Sequence, residues 1–380
     1  MDPVTIIIGG DLGPTHSNYS FFSSGNIKGI IDIKLLNILS SVNFRIFNLE
    51  VPMINKENPI KKDGPILGAP ISMMQGIKLI NPTVFTLANN HILDHGEEGL
   101  ISTIEQLSRN DIGFVGAGRD LREASIPFII ERNNYRIGIC ACAEHEFSIA
   151  GEKRAGANPI NLLESFDHIT KLKTNCDAVI VLYHGGKEYF RYPTPELQTT
   201  CRKMATSGAD LIICQHSHCV GAYEKYKNGI IVYGQGNFLF DRHDDEFYQT
   251  GLLVNVKFEK EIKVDFIPIQ KHGNGVKIPE PAQGNKILDD FYQRSEEIKD
   301  HEFVERQFDE YCLKNGQYYL ATLAGLGKTI RRIDKVLNRP LTRLIYSKAK
   351  LNIIRNHFEC ETHREIVLRY IKILSEGKPR

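Results

Sequence analysis

Residues 83–96, Thr83-Val84-Phe85-Thr86-Leu87-Ala88-Asn89-Asn90-His91-Ile92-Leu93-Asp94-His95-Gly96, set a short unbroken apolar run against an abrupt polar cluster. A run that is apolar on successive positions predicts a strand buried on both faces. The amide, imidazole and carboxylate donors that follow it then stand at the strand's carboxyl end. The same construction recurs along the chain. The run 5–8 leads into Gly9-Gly10-Asp11, 44–49 into Glu50, 178–183 into His184-Gly185-Gly186, and 211–215 into His216-Ser217-His218. In parallel α/β sheets the carboxyl ends of strands open on a common crevice, so these residues are expected to converge.

Further strand-like runs lie at 114–115, 137–143 and 209–214, and segments 33–39, 98–107, 162–172 and 196–205 have helical spacing. Strands alternating with helices predict a largely parallel sheet covered by helices. Hairpin turns are predicted at Asn133-Asn134, at Lys227-Asn228-Gly229 and at Glu259-Lys260-Glu261. A mixed α/β architecture of two sheets, part parallel and part antiparallel, accommodates both patterns. Glycine and proline at 271–283 predict a linker, which divides the chain into 1–270, the linker, and a helical extension at 284–380.

The chain has 380 residues, 42% hydrophobic and 24% charged, which excludes disordered, collagenous and coiled-coil classes. A net charge of +1 gives no global reason to expect nucleic acid as partner. No run approaches the roughly 20 apolar residues of a membrane span, and residues 1–3 lack a signal peptide's basic region. Eight scattered cysteines without a C-x-x-C pair argue against a disulfide scaffold, so the protein is read as cytoplasmic. Charge is uneven, however. From Lys328 to Arg355 nine basic residues face one acid, Asp334, for a local charge of +8 interleaved with aliphatic residues. Such a tail is expected either to dock peripherally on anionic lipid at the inner face of the membrane or to pack as a helical cap.

One histidine or aspartate after a strand is usually a turn or a cap. Five strand ends in one chain make a site. Its mixed oxygen and nitrogen donors, without thiolate, suit Mn, Fe, Zn or Mg in a catalytic role. The donors outnumber what one tetrahedral ion needs, whereas two ions sharing a carboxylate use them all. Gly325-Leu326-Gly327-Lys328-Thr329 is set aside as a P-loop because Thr322 stands where the loop needs glycine. Lys187-Glu188-Tyr189 is read as solvated loop, and His95, His145 and His243 as surface histidines.

The order Gly10-Asp11, Asn48-Leu49-Glu50, Asn89-Asn90-His91-Ile92-Leu93-Asp94-His95-Gly96, His184-Gly185-Gly186 and His216-Ser217-His218 resembles calcineurin-like metallophosphoesterases. With Tyr233-Gly234-Gln235-Gly236-Asn237-Phe238 it is more closely similar to their CapA/PgsA branch, which serves bacterial capsule and poly-γ-glutamate synthesis. The resemblance covers about residues 5–270. It implies a four-layer αββα sandwich, extended here by C-terminal helices, with two divalent ions at its crest. Position by position it implies Asp11 and His218 on the first ion, Asn90, His184 and His216 on the second, and Glu50 between them. It places His91 beside the leaving group, with Asp94 spaced to orient it; Asn89 and Asn237 are candidates for substrate contact. The activity implied is that of a metal-dependent hydrolase in capsule or exopolymer biosynthesis, acting on a phosphorylated or polymeric envelope substrate. The alternative is a non-catalytic accessory subunit of a synthesis or export complex. Two positions depart from the wider superfamily: Gly13 stands where a histidine is usual, leaving His16 as the nearest substitute, and Glu50 replaces the usual aspartate. The first departure leaves one ion or two open.

Overall fold

The computed structural model describes residues 3–62, 64–241 and 245–375. The apolar run near the N-terminus becomes β1 (Val4–Leu12), and β2 (Phe44–Leu49), β3 (Val84–Thr86) and β4 (Gly113–Val115) follow it side by side in parallel. The chain then builds a second sheet from β5 (Phe128–Arg132), β6 (Tyr135–Ala143), β7 (Ala178–His184), β8 (Leu211–Gln215), β9 (Tyr223–Tyr226) and β10 (Gly229–Val232). Their spatial order is β9-β10-β8-β7-β6-β5. It returns to the first sheet through β11 (Asn237–Leu239), β12 (Thr250–Phe258), β13 (Ile262–His272) and β14 (Gly275–Lys277), giving the order β14-β13-β12-β1-β2-β3-β4 with β11 along the end of β1. The first sheet is parallel from β1 through β4 and antiparallel on its β12–β14 side, whereas the second is parallel at the centre, where β7 pairs with β6 and β8, and antiparallel at both margins. The β5–β6 hairpin turns at Asn133 (φ 53°) and Asn134 (φ 59°), the left-handed pair that an Asn-Asn turn accepts.

Side-chain alternation along β7 makes the layers. Ile180 and Leu182 enter the core shared by the two sheets, while Val179, Val181 and Tyr183 enter a second core on the outer face. There they meet Ile169 of α3 and Leu197, Cys201 and Met204 of α4, once α1 (Ile33–Ser40), α2 (Gly96–Arg109), α3 (Ser165–Lys173) and α4 (Pro195–Thr206) are numbered along the chain. Leu35 and Leu39 of α1 and Leu100 and Leu107 of α2 join the core around the first sheet. The result is the expected αββα sandwich. Each buried Leu, Ile or Phe contributes roughly 1.5–3 kcal/mol of transfer free energy, which makes this layered core the main stabilising feature. Helix starts follow local chemistry: Thr194 caps α4 by accepting from Leu197 N at 3.1 Å, with Pro195 at its first position.

The expected linker at 271–283 is structured. β13 runs to His272, the chain turns at Gly273 (φ 56°) into β14, and α5 (Pro281–Glu297) opens on a proline. The glycine and proline belong to a hairpin turn and a helix start, roles that composition alone does not separate from a linker. Ile287 and Phe291 of α5 bury against Val220 and Leu252, so this helix belongs to the sandwich. The first compact unit is residues 1–305 and the second 306–380, which moves the boundary beyond the expected 270/284.

The helix α6 (His301–Leu323) begins in the first unit and runs into the C-terminal one, which continues through α7 (Lys328–Val336), α8 (Pro340–Ile345), α9 (Lys348–Glu359) and α10 (Glu361–Ser375). Leu344 (74% exposed) and Ile353 (61%) are exposed, whereas their neighbours Ile345 and Ile354 are half-buried. No helix among the described residues is long and apolar enough to cross a membrane.

Candidate metal centre

Every loop that carries a candidate ligand leaves the carboxyl end of a central parallel strand. Asp11 closes β1, Glu50 follows β2, Asn90 stands four residues beyond β3, His184 ends β7, and His216 and His218 follow β8. The backbone is forced to bring them in. His216 (φ 88°) and His218 (φ 55°) lie in the left-handed region, a conformation costing roughly 1–3 kcal/mol each for a non-glycine residue and usually retained at functional sites. Gly10 is required by close approach, since a Cβ there would stand 1.9 Å from the Gly236 carbonyl oxygen.

Two overlapping donor groups result. Asp11, Glu50 and His218 form one and Glu50, His184 and His216 the other, all buried, with ligand atoms within 4.8 Å of one another in each. Glu50 is common to both. Around His184 Nε2 stand His216 Nδ1 at 3.1 Å, Asn90 Oδ1 at 3.1 Å and Glu50 Oε1 at 3.7 Å. Ligands about 2.0–2.2 Å from a tetrahedral ion lie roughly 3.3–3.6 Å apart, so this spacing fits one. In the other group His218 Nδ1 is 3.2 Å from Asp11 Oδ2, and His218 Nε2 is 3.9 Å from Glu50 Oε1. The test of fit is Glu50 itself: both its oxygens are buried and neither has a hydrogen-bond partner. A buried carboxylate with no donor is costly, and a cation between the two groups would satisfy it.

Electrostatics divide along the same lines. Burial and the neighbouring Asp11 charge push the Glu50 carboxyl well above the usual range. Burial opposes ionisation of Asp11, yet its bond to His218 and that imidazolium's charge bring it down to about 2. Burial likewise opposes the His218 cation, but the Glu50 and Asp11 carboxylates hold it up at about 9. His184 is held well below the ordinary value by burial and by His216, and His216 is lowered to about 4 by burial and by His218. Both are therefore neutral at pH 7, the form in which imidazole ligates.

His91 Nδ1 lies 2.6 Å from Asp94 Oδ2, the pairing expected from their spacing. Asp94 is fully buried, accepts from Leu67 N at 2.7 Å and pairs through its other oxygen with Lys62, whose side chain is 3% exposed. Nothing in the sequence marked Lys62, a charged residue in an irregular stretch. Asn48 was quoted only within a motif, yet it is a hub: its amide donates to Asp11 Oδ1 at 2.8 Å and its oxygen accepts from Asn89 at 3.1 Å. Asn89 spends its amide on Asn48 and on the Leu49 carbonyl, and its oxygen accepts from His91 N. Fully buried, it holds the ligand loop and has no face left for the substrate contact expected of it. Asn237 backs His218, with Oδ1 2.9 Å from Nδ1 and a buried amide nitrogen without a partner. With Nδ1 held by Asp11 and Asn237, His218 presents Nε2 to Glu50 and Glu188, each 3.9 Å away.

At the rim, Glu146 lies 3.2 Å from the Asn90 amide, and Glu188 lies 3.9 Å from His218 Nε2, so Glu188 is not the free solvated charge its loop predicted. Position 13 is closed, because a Cβ on Gly13 would come within 2.9 Å of Val51 and 3.0 Å of Phe240. His16 is exposed beside Tyr19, outside both donor groups. His16 and Tyr19 lie along a groove of about 380 Å³ that includes Thr15, Val51, Leu67 and Phe240. His145 is exposed as expected, but His95 is buried and accepts from Asn58 N at 2.9 Å; His243 lies outside the described residues.

Two packed sheets whose central strand ends bring carboxylates, an amide and three imidazoles to one crest define a metallophosphoesterase-like protein. More particularly, the chain belongs to the family of bacterial capsule synthesis proteins, PGA_cap, whose model matches residues 5–242. It is 32% identical over 206 residues to the capsule biosynthesis protein CapA of Bacillus anthracis, covering 51% of this chain and 50% of that one. To the PGA biosynthesis protein CapA of Bacillus subtilis it is 29% identical over 200 residues, 51% of this chain and 52% of that one. A probable polyglutamine synthesis accessory protein of Mycobacterium tuberculosis is 26% identical over 258 residues, covering 63% and 64%. The chain thus spans about half the length of the two CapA proteins. Among solved structures it is similar to a putative 5′-nucleotidase from Staphylococcus aureus (12% identity, TM-score 0.45, 76% of this chain and 58% of that one). A phosphatase from Mycoplasma pneumoniae is similar at 15% identity and TM-score 0.43, over 76% and 97%.

Proposed function

We propose that the chain is a metal-dependent hydrolase of capsule or exopolymer biosynthesis, holding two divalent ions through Asp11, Glu50, Asn90, His184, His216 and His218. The observation that carries this reading is Glu50, shared by two donor groups with both oxygens buried and unpartnered. Divalent ions there supply Lewis-acid polarisation and an activated nucleophile. The chain's own residues do the rest. Asp94 fixes the His91 ring through Nδ1, setting that histidine to give a proton to the leaving group, and Lys62 keeps the Asp94 carboxylate in place. Asn48 and Asn237 orient Asp11 and His218. The substrate class is a phosphoester, a phosphorylated glycan or lipid-linked intermediate, or an amide-bonded polymer, reached in the cytoplasm, where reduced cysteines persist.

Metal analysis of the purified protein, with turnover of an aryl phosphate before and after chelation, tests the proposal. Bound divalent metal and chelator-sensitive turnover support it; a metal-free protein without turnover in added Mn, Fe, Zn or Mg overturns it. The second reading, a non-catalytic accessory subunit, is favoured by position 13, where Val51 and Phe240 leave no room for a further ligand, and by the name of the mycobacterial relatives. Tight metal binding without turnover on any phosphate or amide substrate would select it.

A further inference from the structure

The C-terminal unit, outside the matched residues 5–242, has a groove of about 740 Å³ between α6 and α7, the size of a ligand site. Its charged lining is Lys314, Lys328, Arg331, Arg332, Lys335 and Arg339, with no carboxylate. The one acid of this stretch is turned elsewhere: Asp334 is buried and accepts from Leu341 N at 2.8 Å and from the Thr342 hydroxyl, tying α7 to α8. Arg331 ties the walls together, donating to Thr322 Oγ1 at 2.6 Å and lying 5.9 Å from the Tyr318 ring. No ion pair neutralises Lys314, Lys328, Arg332 or Lys335 among the described residues. Holding so many like charges around one groove is unfavourable in the free chain and focuses a field on whatever enters it.

The arrangement on α7 sets its cations in a row. At 100° per residue, Lys328, Arg331, Arg332 and Lys335 fall on one side of the helix, and Ile330, Ile333 and Leu337 on the opposite side. The basic side lines a groove about two helical turns long; because an opposed apolar side is also what a helix at a lipid surface presents, vesicles form one arm of the test. Guanidinium and ammonium groups in a row match repeated carboxylates or phosphates. We infer that the groove between α6 and α7 binds a linear polyanion, an acidic polymer chain with carboxylate or phosphate at each repeat. The inference goes beyond the hydrolase reading and is read by binding, so it stands or falls separately from turnover at the crest.

The test uses the full chain and fluorescence anisotropy with labelled poly-L-glutamate and labelled polyphosphate, against Lys328→Gln/Arg332→Gln/Lys335→Gln. These side chains make no ion pair, and unchanged helicity and metal content check the fold. Salt-sensitive binding of either polyanion that weakens at least about tenfold in the variant supports the inference, and the tighter ligand names the repeating group. Lys328→Arg/Lys335→Arg should keep the binding. If the triple variant loses helicity, Arg332→Gln and Lys335→Gln singly should each weaken it. Equal binding by wild type and variants, or groove-dependent binding only to phosphatidylglycerol vesicles, overturns it.

Discussion

The two sheets contribute opposite chemistry to one crest. The first delivers oxygen donors, Asp11, Glu50 and Asn90; the second delivers imidazoles, His184, His216 and His218. Each half is at odds with itself. Within the first, the Asp11 charge adds to burial in suppressing ionisation of Glu50. Within the second, His216 and His218 add to burial in suppressing the His184 cation. Relief comes across the sandwich, most directly in the 3.2 Å contact of Asp11 with His218. The site is therefore a product of sheet packing, and Glu50, with no hydrogen-bond partner for either oxygen, marks where a cation belongs.

Removing the shared oxygen donor should do the most damage. Glu50→Gln keeps the shape, removes the charge common to both donor groups and should abolish binding of both ions, with metal analysis falling to background. One ion retained at wild-type occupancy would show that Glu50 does not bridge. Next, His184→Ala and His216→Ala should lower metal content to similar extents while leaving the Asp11–His218 group able to hold its ion. Wild-type stoichiometry in both variants sinks the second-sheet assignment. His91→Ala should then cost about 10²–10⁴-fold in turnover with metal still bound, as expected of a group that only transfers a proton. Loss of metal together with activity would make His91 a ligand.

Much of this was legible because buried parallel strands announce themselves as unbroken apolar runs, and whatever follows them sits at a predictable end. The His91–Asp94 spacing needed only one turn of backbone to give the contact found at 2.6 Å. Lys62 was not legible: it enters the site through tertiary closure of an irregular stretch with no period to read. Gly13 was visible as a missing ligand, but its cause, the Phe240 and Val51 side chains occupying that space, lies in residues far apart in sequence. The unit boundary was misplaced because α5 and the helices beyond Glu305 share a helical pattern, and only packing shows that α5 belongs to the sandwich.

Removing metal exposes the opposition between the halves as a pH dependence. His216 has a folded value of about 4 against an ordinary 6.5, so the unfolded chain binds the extra proton between them. Its stabilisation is complete above about 6.5 and is lost as pH falls toward 4. His218, raised to about 9, contributes stability below 6.5 that is lost as pH rises through 9. In thermal melts of chelated protein, His216→Asn should flatten the acid side of the profile and His218→Asn the alkaline side. A flat profile would mean that the two histidines do not oppose one another.

The smallest effect tests Lys62, which touches neither donor group. Its ammonium pairs with Asp94 and lies 3.2 Å from His91 Nδ1, so it governs how firmly Asp94 holds the ring. Lys62→Met keeps much of the buried stem and removes the charge, leaving Asp94 with His91 and the Leu67 amide. Turnover should fall by about tenfold, the lower end for groups that act by orienting another, with metal content unchanged. A purely structural lysine would lower the melting temperature and leave the rate per folded molecule intact. A positioning lysine lowers that rate, and in an already inactive His91→Ala background its loss costs no further turnover. Lys62→Arg should restore part of the rate, because a cation returns to Asp94. An undiminished rate in Lys62→Met would confine control of the His91 ring to Asp94 alone.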